Sequence, residues 1–232
     1  MLTSCAPPAL LGLIEKAWRD GFDPQGMDLY LPRGVIGTER WIGATETWAL
    51  LAGLGLRAKI VDFEEGHQSA GENVVAWLLN YFLEDSSTTQ TVGGSGDATK
   101  DCNVAGFSFT SNPIIKGVNG DEPCVAWASA WRQGPAGSLP PVFLQQSGHS
   151  RTIAGVIRER NGDVSLVVLD PAKHLTMRNL DQSDWRNHVV VRAETLTRYK
   201  SYQLVHVLPG EVPASEVLSG ANKDPNQHVY KR

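Results

Sequence analysis

A chain of 232 residues with a formal net charge of -4 and scattered basic residues has room for one well-buried domain and no electrostatic footprint for nucleic acid. Its cysteines, Cys5, Cys102 and Cys124, are odd in number and widely spaced, which argues against a disulfide framework and against a structural zinc site. No apolar run reaches the length of a membrane span, and Met1-Leu2-Thr3-Ser4 lacks the features of a signal peptide, so a reducing cytoplasmic or nuclear location is expected.

In chain order, Pro7-Pro8 followed by Leu10, Ile14, Ala17 and Trp18 predicts a helix that stops at Gly21. Phe22 to Gly37 carries Asp23-Pro24, Gly26, Pro32 and Gly34, the composition of a loop. Trp41, Ala44, Thr45, Trp48, Ala49 and Ala52 recur at helical spacing, with Thr38 as the expected N-cap and Gly53 or Gly55 as the stop. Arg57 to Phe63 reads as a strand, and Val74 to Phe82 as a third helix ending near Glu84. Residues 85–138 are rich in Ser, Thr, Gly and Pro and are expected to form a low-complexity insertion, with one apolar turn at Val125 to Trp131.

Past the insertion, Val142-Phe143-Leu144 predicts a short strand leading into a hairpin. Asn161-Gly162 between Ile153 to Ile157 and Leu166 to Leu169 is the strongest hairpin signal in the chain. Val189 to Val191 and Tyr202 to Leu208 are the remaining strands, and residues 209–232 are expected to be a disordered tail. Helices followed by a run of strands predict an α+β domain over residues 1–208, with a mainly antiparallel sheet.

The hairpin begins at His149 and ends at Asp170, which raises the question of a base and an orienting carboxylate. A two-residue turn at Asn161-Gly162 would leave Asp170 opposite Ile153, four residues or roughly 13 Å from His149. A four-residue loop, Arg158 to Asn161, would set the two face to face, and is the register expected if the pair is functional. From spacing alone, a loop histidine and a strand-end carboxylate before Pro171 explain the residues equally well. His174 is the rival base.

Several stretches resemble one family. Leu13-Ile14-Glu15-Lys16-Ala17-Trp18 with Gly21-Phe22-Asp23-Pro24, Gly37-Thr38 with Trp41 to Glu46, Val61-Asp62-Phe63, Gln145 with Gly148 to Thr152, and Leu169-Asp170-Pro171 are similar to the ubiquitin-fold-modifier-specific proteases. The branch that includes the zinc-finger-containing ubiquitin peptidase is the nearest. The resemblance implies a papain-like thiol peptidase domain that cuts after the C-terminal glycine of ubiquitin or a ubiquitin-like modifier, and these modifiers and their conjugates are the implied partners. It implies His149 as general base, Asp170 as its orienter and Gln145 as a substrate-binding residue. No metal or other cofactor is implied.

Two departures accompany it. The modifier-specific branch has its base two residues beyond the aspartate, where this chain has Ala172, which favours His149 over His174 and a ubiquitin-type substrate. The family cysteine opens a helix in a Cys-Gly-Tyr-Arg-Asn motif shortly before a Met-Leu pair, and Met1-Leu2 resembles that pair. The expected nucleophile and its helix therefore precede residue 1, with Cys5 the substitute within the chain. A non-catalytic pseudo-peptidase that only binds ubiquitin-like tails is the alternative.

Overall fold

The computed structural model describes residues 8–30, 33–38, 40–84, 104–105, 139–159, 161–173, 185–211 and 223–231. The first helix, α1 (Pro8–Arg19), starts on a proline that needs no hydrogen-bond acceptor, and it buries Leu11, Ile14, Ala17 and Trp18 on one side. The expected loop after it contains a second helix, α2 (Pro24–Tyr30). Asp23 starts that helix: its Oδ1 accepts the Gly26 N–H at 3.1 Å and its Oδ2 accepts the Trp18 indole N–H at 3.1 Å. An aspartate before a proline is an N-cap followed by a favoured first residue, and here that local chemistry overrides the loop-like composition.

Helix α3 (Ala44–Gly53) begins later than expected. Thr38 turns its hydroxyl back to the Val35 carbonyl at 2.8 Å instead of capping the helix. Gly43 takes the cap position, with the Glu46 carboxylate accepting the Gly43 N–H at 2.9 Å. Trp41 thus lies ahead of the helix and is 71% exposed, while Trp48 and Ala49 are buried. Strand β1 (Leu56–Glu64) follows, then α4 (Ala70–Leu79), capped by Ser69 in a capping box with Glu72 and extended by a π turn at Asn80–Glu84.

The remaining strands are β2 (Val104–Ala105), β3 (Val142–Gln146), β4 (His149–Arg158), β5 (Val164–Leu169), β6 (Val190–Arg192), β7 (Ser201–Glu211) and β8 (Val229–Lys231), with α5 (Trp185–Val189) entering β6 and a 3-10 segment, Ala193–Arg198, leaving it. They form one sheet in the order β6-β5-β4-β3-β7-β1-β8, with β2 beside the far half of β4. All pairings are antiparallel except β1 with β8. Helices pack on both faces of a mainly antiparallel sheet, which is an α+β domain. On one face α1 and α3 cover Ala58, Ile60, Phe143 and Val205; on the other α4 covers Val61, Phe63, Leu144, Ile153, Tyr202 and Leu204.

Two expectations about irregular segments change. Of the 85–138 insertion only Val104–Ala105 is described, and it is a strand pairing with Val156 and Ile157; the Val125 to Trp131 turn lies outside the described residues. The 209–232 tail is not disordered where it is described. β7 runs through Glu211, and β8 lies alongside β1 from Ile60 to Asp62. Lys223 fastens this return to the helical face: its carbonyl accepts the Asp23 N–H at 2.7 Å, and its ammonium donates to the Asp20 carbonyl at 2.6 Å.

Candidate active site

The hairpin expected from Asn161-Gly162 is present, but its register is neither of the two considered. The turn closes on a Glu159–Asp163 backbone bond of 2.8 Å, with a second bond from the Gly162 N–H to the Glu159 carbonyl at 3.0 Å. Gly162 has φ +90, a conformation that favours glycine. Three residues therefore connect the strands. Next to the turn Arg158 faces Val164 and Ile157 faces Ser165. Continued unchanged, this register would set Asp170 opposite Thr152, whose side chain points to the other face from His149.

A β-bulge removes that conflict. Gly155 pairs with Val167 and Ile153 with Val168, so Ala154 is the extra residue. The shift of one puts the residue opposite Asp170 at Arg151, on the face that carries His149, Arg151 and Ile153. His149 is then the diagonal neighbour of Asp170, within reach of a ring side chain. The two meet: His149 Nε2 and Asp170 Oδ1 are 2.8 Å apart. The four-residue loop expected for a functional pair is thus corrected, because a bulge re-aims the carboxylate where a wider loop was thought necessary.

Both oxygens of Asp170 are engaged. Oδ1 also accepts the Ala172 N–H at 2.9 Å, and Oδ2 accepts Arg151 Nε at 3.1 Å. The Asp170 side chain is 13% exposed. Burial pushes its pKa up, but the Ala172 N–H, the hydrogen bond and charge of His149 and the Arg151 guanidinium outweigh it, and the carboxyl is held below its ordinary value. A carboxylate accepting from Nε2 fixes the neutral imidazole as the Nε2–H tautomer and leaves the lone pair on Nδ1. A pair so arranged can serve as a base and its orienter.

His149 is the first residue after the Ser147-Gly148 turn between β3 and β4, where Gly148 has φ +74 and pairs the strands so that His149 faces Gln146. Gln145, one residue earlier, points to the opposite face, and its Oε1 accepts the Ala44 N–H at the start of α3. The described contact of Gln145 is therefore with the helix. Cys5, Cys102, Cys124 and His174 lie outside the described residues. Arg151 is the site residue that sequence reasoning missed; the signal was its place two residues after His149, on the same strand face. Among the described residues no group of three or more His, Cys, Asp or Glu gathers as metal ligands do.

A strand-borne histidine held by a half-buried carboxylate, on a sheet covered by helices, suits proton-transfer chemistry such as hydrolysis uses, and the family comparison gives the class of protein. The chain belongs to peptidase family C78, whose model matches residues 8–205. The papain-like class implied by the resemblance comes with that family. Among curated proteins the chain is similar to zinc finger-containing ubiquitin peptidase 1 of Homo sapiens, 31% identical over 74% of this chain and 22% of that protein. The Mus musculus protein of the same name is 27% identical over 86% of this chain and 28% of its own length. The chain thus spans less than a third of those relatives. It is 24% identical to ubiquitin carboxyl-terminal hydrolase mug105 of Schizosaccharomyces pombe, over 85% of this chain and 60% of that protein. The crystal structure of UfSP from C. elegans aligns over 76% of this chain and 24% of that chain, with a TM-score of 0.40 and 16% identity.

Proposed function

We propose that this chain carries the base and the orienting carboxylate of a thiol peptidase that acts at the C-terminal glycine of ubiquitin or a ubiquitin-like modifier. The observation that carries the reading is the 2.8 Å contact between His149 Nε2 and Asp170 Oδ1 in a family C78 chain. With its proton on Nε2, His149 takes the thiol proton at Nδ1, and Asp170 steadies the imidazolium that forms. The thiolate attacks the carbonyl of the terminal glycine. His149 then returns the proton to the departing amine, and water releases the modifier in a second step over the same base. Relatives named as ubiquitin peptidases support ubiquitin as the modifier.

The test is reaction of the full chain with ubiquitin bearing a C-terminal electrophile. The chain holds no Cys-Gly-Tyr-Arg-Asn motif, so the reading predicts an adduct only where one of its own cysteines serves as nucleophile, and that adduct is lost in His149→Ala. Survival of the adduct in Cys5→Ala would set Cys5 aside as the nucleophile, and its loss would assign Cys5. Saturable binding of ubiquitin without any adduct would favour the non-catalytic alternative.

A further inference from the structure

We propose that Arg151 is a positioning residue of this site: it fixes the Asp170 carboxylate in the rotation in which Oδ1 holds His149 Nε2. The inference rests on the reading of His149 and Asp170 as base and orienter, and adds the group that holds the orienter.

Three observations carry it. The bulge at Ala154 sets Arg151 directly across from Asp170, so the same irregularity that brings the carboxylate to His149 brings the guanidinium to the carboxylate. The division of labour is clean: Arg151 Nε is 3.1 Å from Oδ2, while His149 Nε2 is 2.8 Å from Oδ1. A carboxylate turns about its Cβ–Cγ bond, and a donor fixed on Oδ2 stops that rotation where Oδ1 faces the imidazole. Finally, Arg151 is itself held, with its side chain 24% exposed, on a residue that pairs with the buried Leu144 on β3.

Charge acts alongside geometry. A carboxylate this shielded from water drifts toward its neutral form, in which it no longer supports an imidazolium. Among the described residues, the groups facing Asp170 are His149 and Arg151 from β4 and the Ala172 N–H from its own turn; Lys173 reaches away to the His188 carbonyl at 3.4 Å, and Tyr202 on β7 lies on the Arg151 side with its hydroxyl on the Leu196 carbonyl. Arg151 is the permanent cation of the set. Its charge adds to the larger effects of the Ala172 N–H and of His149 in holding the Asp170 carboxyl below its ordinary value.

The test is nuclear magnetic resonance of the full chain: the Asp170 side-chain carboxyl followed through pH, and long-range proton–nitrogen correlations reporting the His149 tautomer. In Arg151→Gln the Asp170 midpoint is expected to rise by about one unit, and the neutral His149 ring to change from Nε2–H alone to a mixture. Arg151→Lys, which restores the charge, is expected to return the midpoint toward wild type. Arg151→Met, which keeps the aliphatic stem, serves if the Gln variant fails to fold, and is expected to move both signals. An unmoved midpoint and tautomer in a folded neutral variant would overturn the proposal, and so would loss of the fold in both, which would make Arg151 a scaffold residue. Neither signal depends on turnover, so a chain that cleaves no ubiquitin would defeat the proposed function and still leave the role of Arg151 decided.

Discussion

Glu15 shows how a single side chain ties a loop to a helix. It is buried on α1, and its Oε1 accepts the N–H groups of Val35 at 2.8 Å and Ile36 at 3.3 Å, while Oε2 pairs with Arg19 at 2.8 Å. The Val35 N–H lowers its pKa most; burial works the other way but does not prevail. Glu15→Ala would strand the buried Val35 N–H, and is expected to cost about 1–3 kcal/mol in denaturant-induced unfolding. Gln145 is a second such case. Its carbonyl caps the first N–H of α3, so Gln145→Ala is expected to lower stability by about 1 kcal/mol, measured by thermal unfolding. A Gln145→Ala chain of unchanged stability and weakened ubiquitin binding would support the substrate-binding role that the family resemblance implies.

At the scale of elements, the bulge in β4 is the decisive feature. Ala154 is the extra residue, so a one-residue insertion between Thr152 and Ile153, which moves Thr152 across from Asp170, should turn His149 to the face opposite the carboxylate and abolish the hydrogen bond between them. The check is the His149 tautomer, which should lose its preference for Nε2–H. Where α4 meets the 3-10 segment, close approach is the constraint: a Cβ on Gly71 would lie 2.2 Å from the Leu196 carbonyl oxygen, which also accepts the Tyr202 hydroxyl at 2.6 Å. Gly71→Ala is therefore expected to cost about 2 kcal/mol as α4 is pushed off the sheet, readable as a lower denaturation midpoint.

These elements also mark what could be read in advance. The hairpin was legible because Asn161-Gly162 demands a turn, and α1, α3 and α4 because their apolar residues recur at helical spacing. The bulge was not. Ile153 to Ile157 are all buried, since β4 is a central strand covered on both faces, and an unbroken apolar run carries no alternation from which to read a register. Arg151 escaped notice for the same reason, because its partner depends on that register. The helix α2 was hidden by Pro24 and Gly26, and β8 by its distance along the chain from β1, a pairing that no local pattern announces.

For the whole molecule, pH sets the range over which this architecture holds. His206 on β7 is 8% exposed, against the rings of Trp77 at 4.9 Å and Tyr81 at 5.7 Å, and its Nδ1 is buried without a hydrogen-bond partner among the described residues. Burial, with a smaller effect from Lys59, pushes its pKa down to about 4. Between about 6.5 and about 4 the unfolded chain binds a proton at this position that the folded chain refuses, so stability falls as pH falls through that window, by up to ~3 kcal/mol. Glu15 and Asp170, whose folded pKa values are depressed, stabilise above the ordinary carboxyl range and lose that contribution at lower pH still. Urea unfolding at pH 7 and pH 5 should therefore differ in wild type, and differ less in His206→Phe.

In the proposed peptidase reading His149 and Asp170 work as one unit on a ubiquitin-type C-terminus. This coupling is tested most directly by hydrolysis of ubiquitin carrying a fluorogenic C-terminal amide, comparing wild type, His149→Ala, Asp170→Asn and the double variant. Groups that act through one another lose their effect together. In a chain with its own thiol in place, each single substitution is expected to lower kcat/KM by roughly 10²-fold or more, with the double variant no slower than His149→Ala. Losses that multiply in the double variant, or a His149→Ala chain as fast as wild type, would contradict that reading.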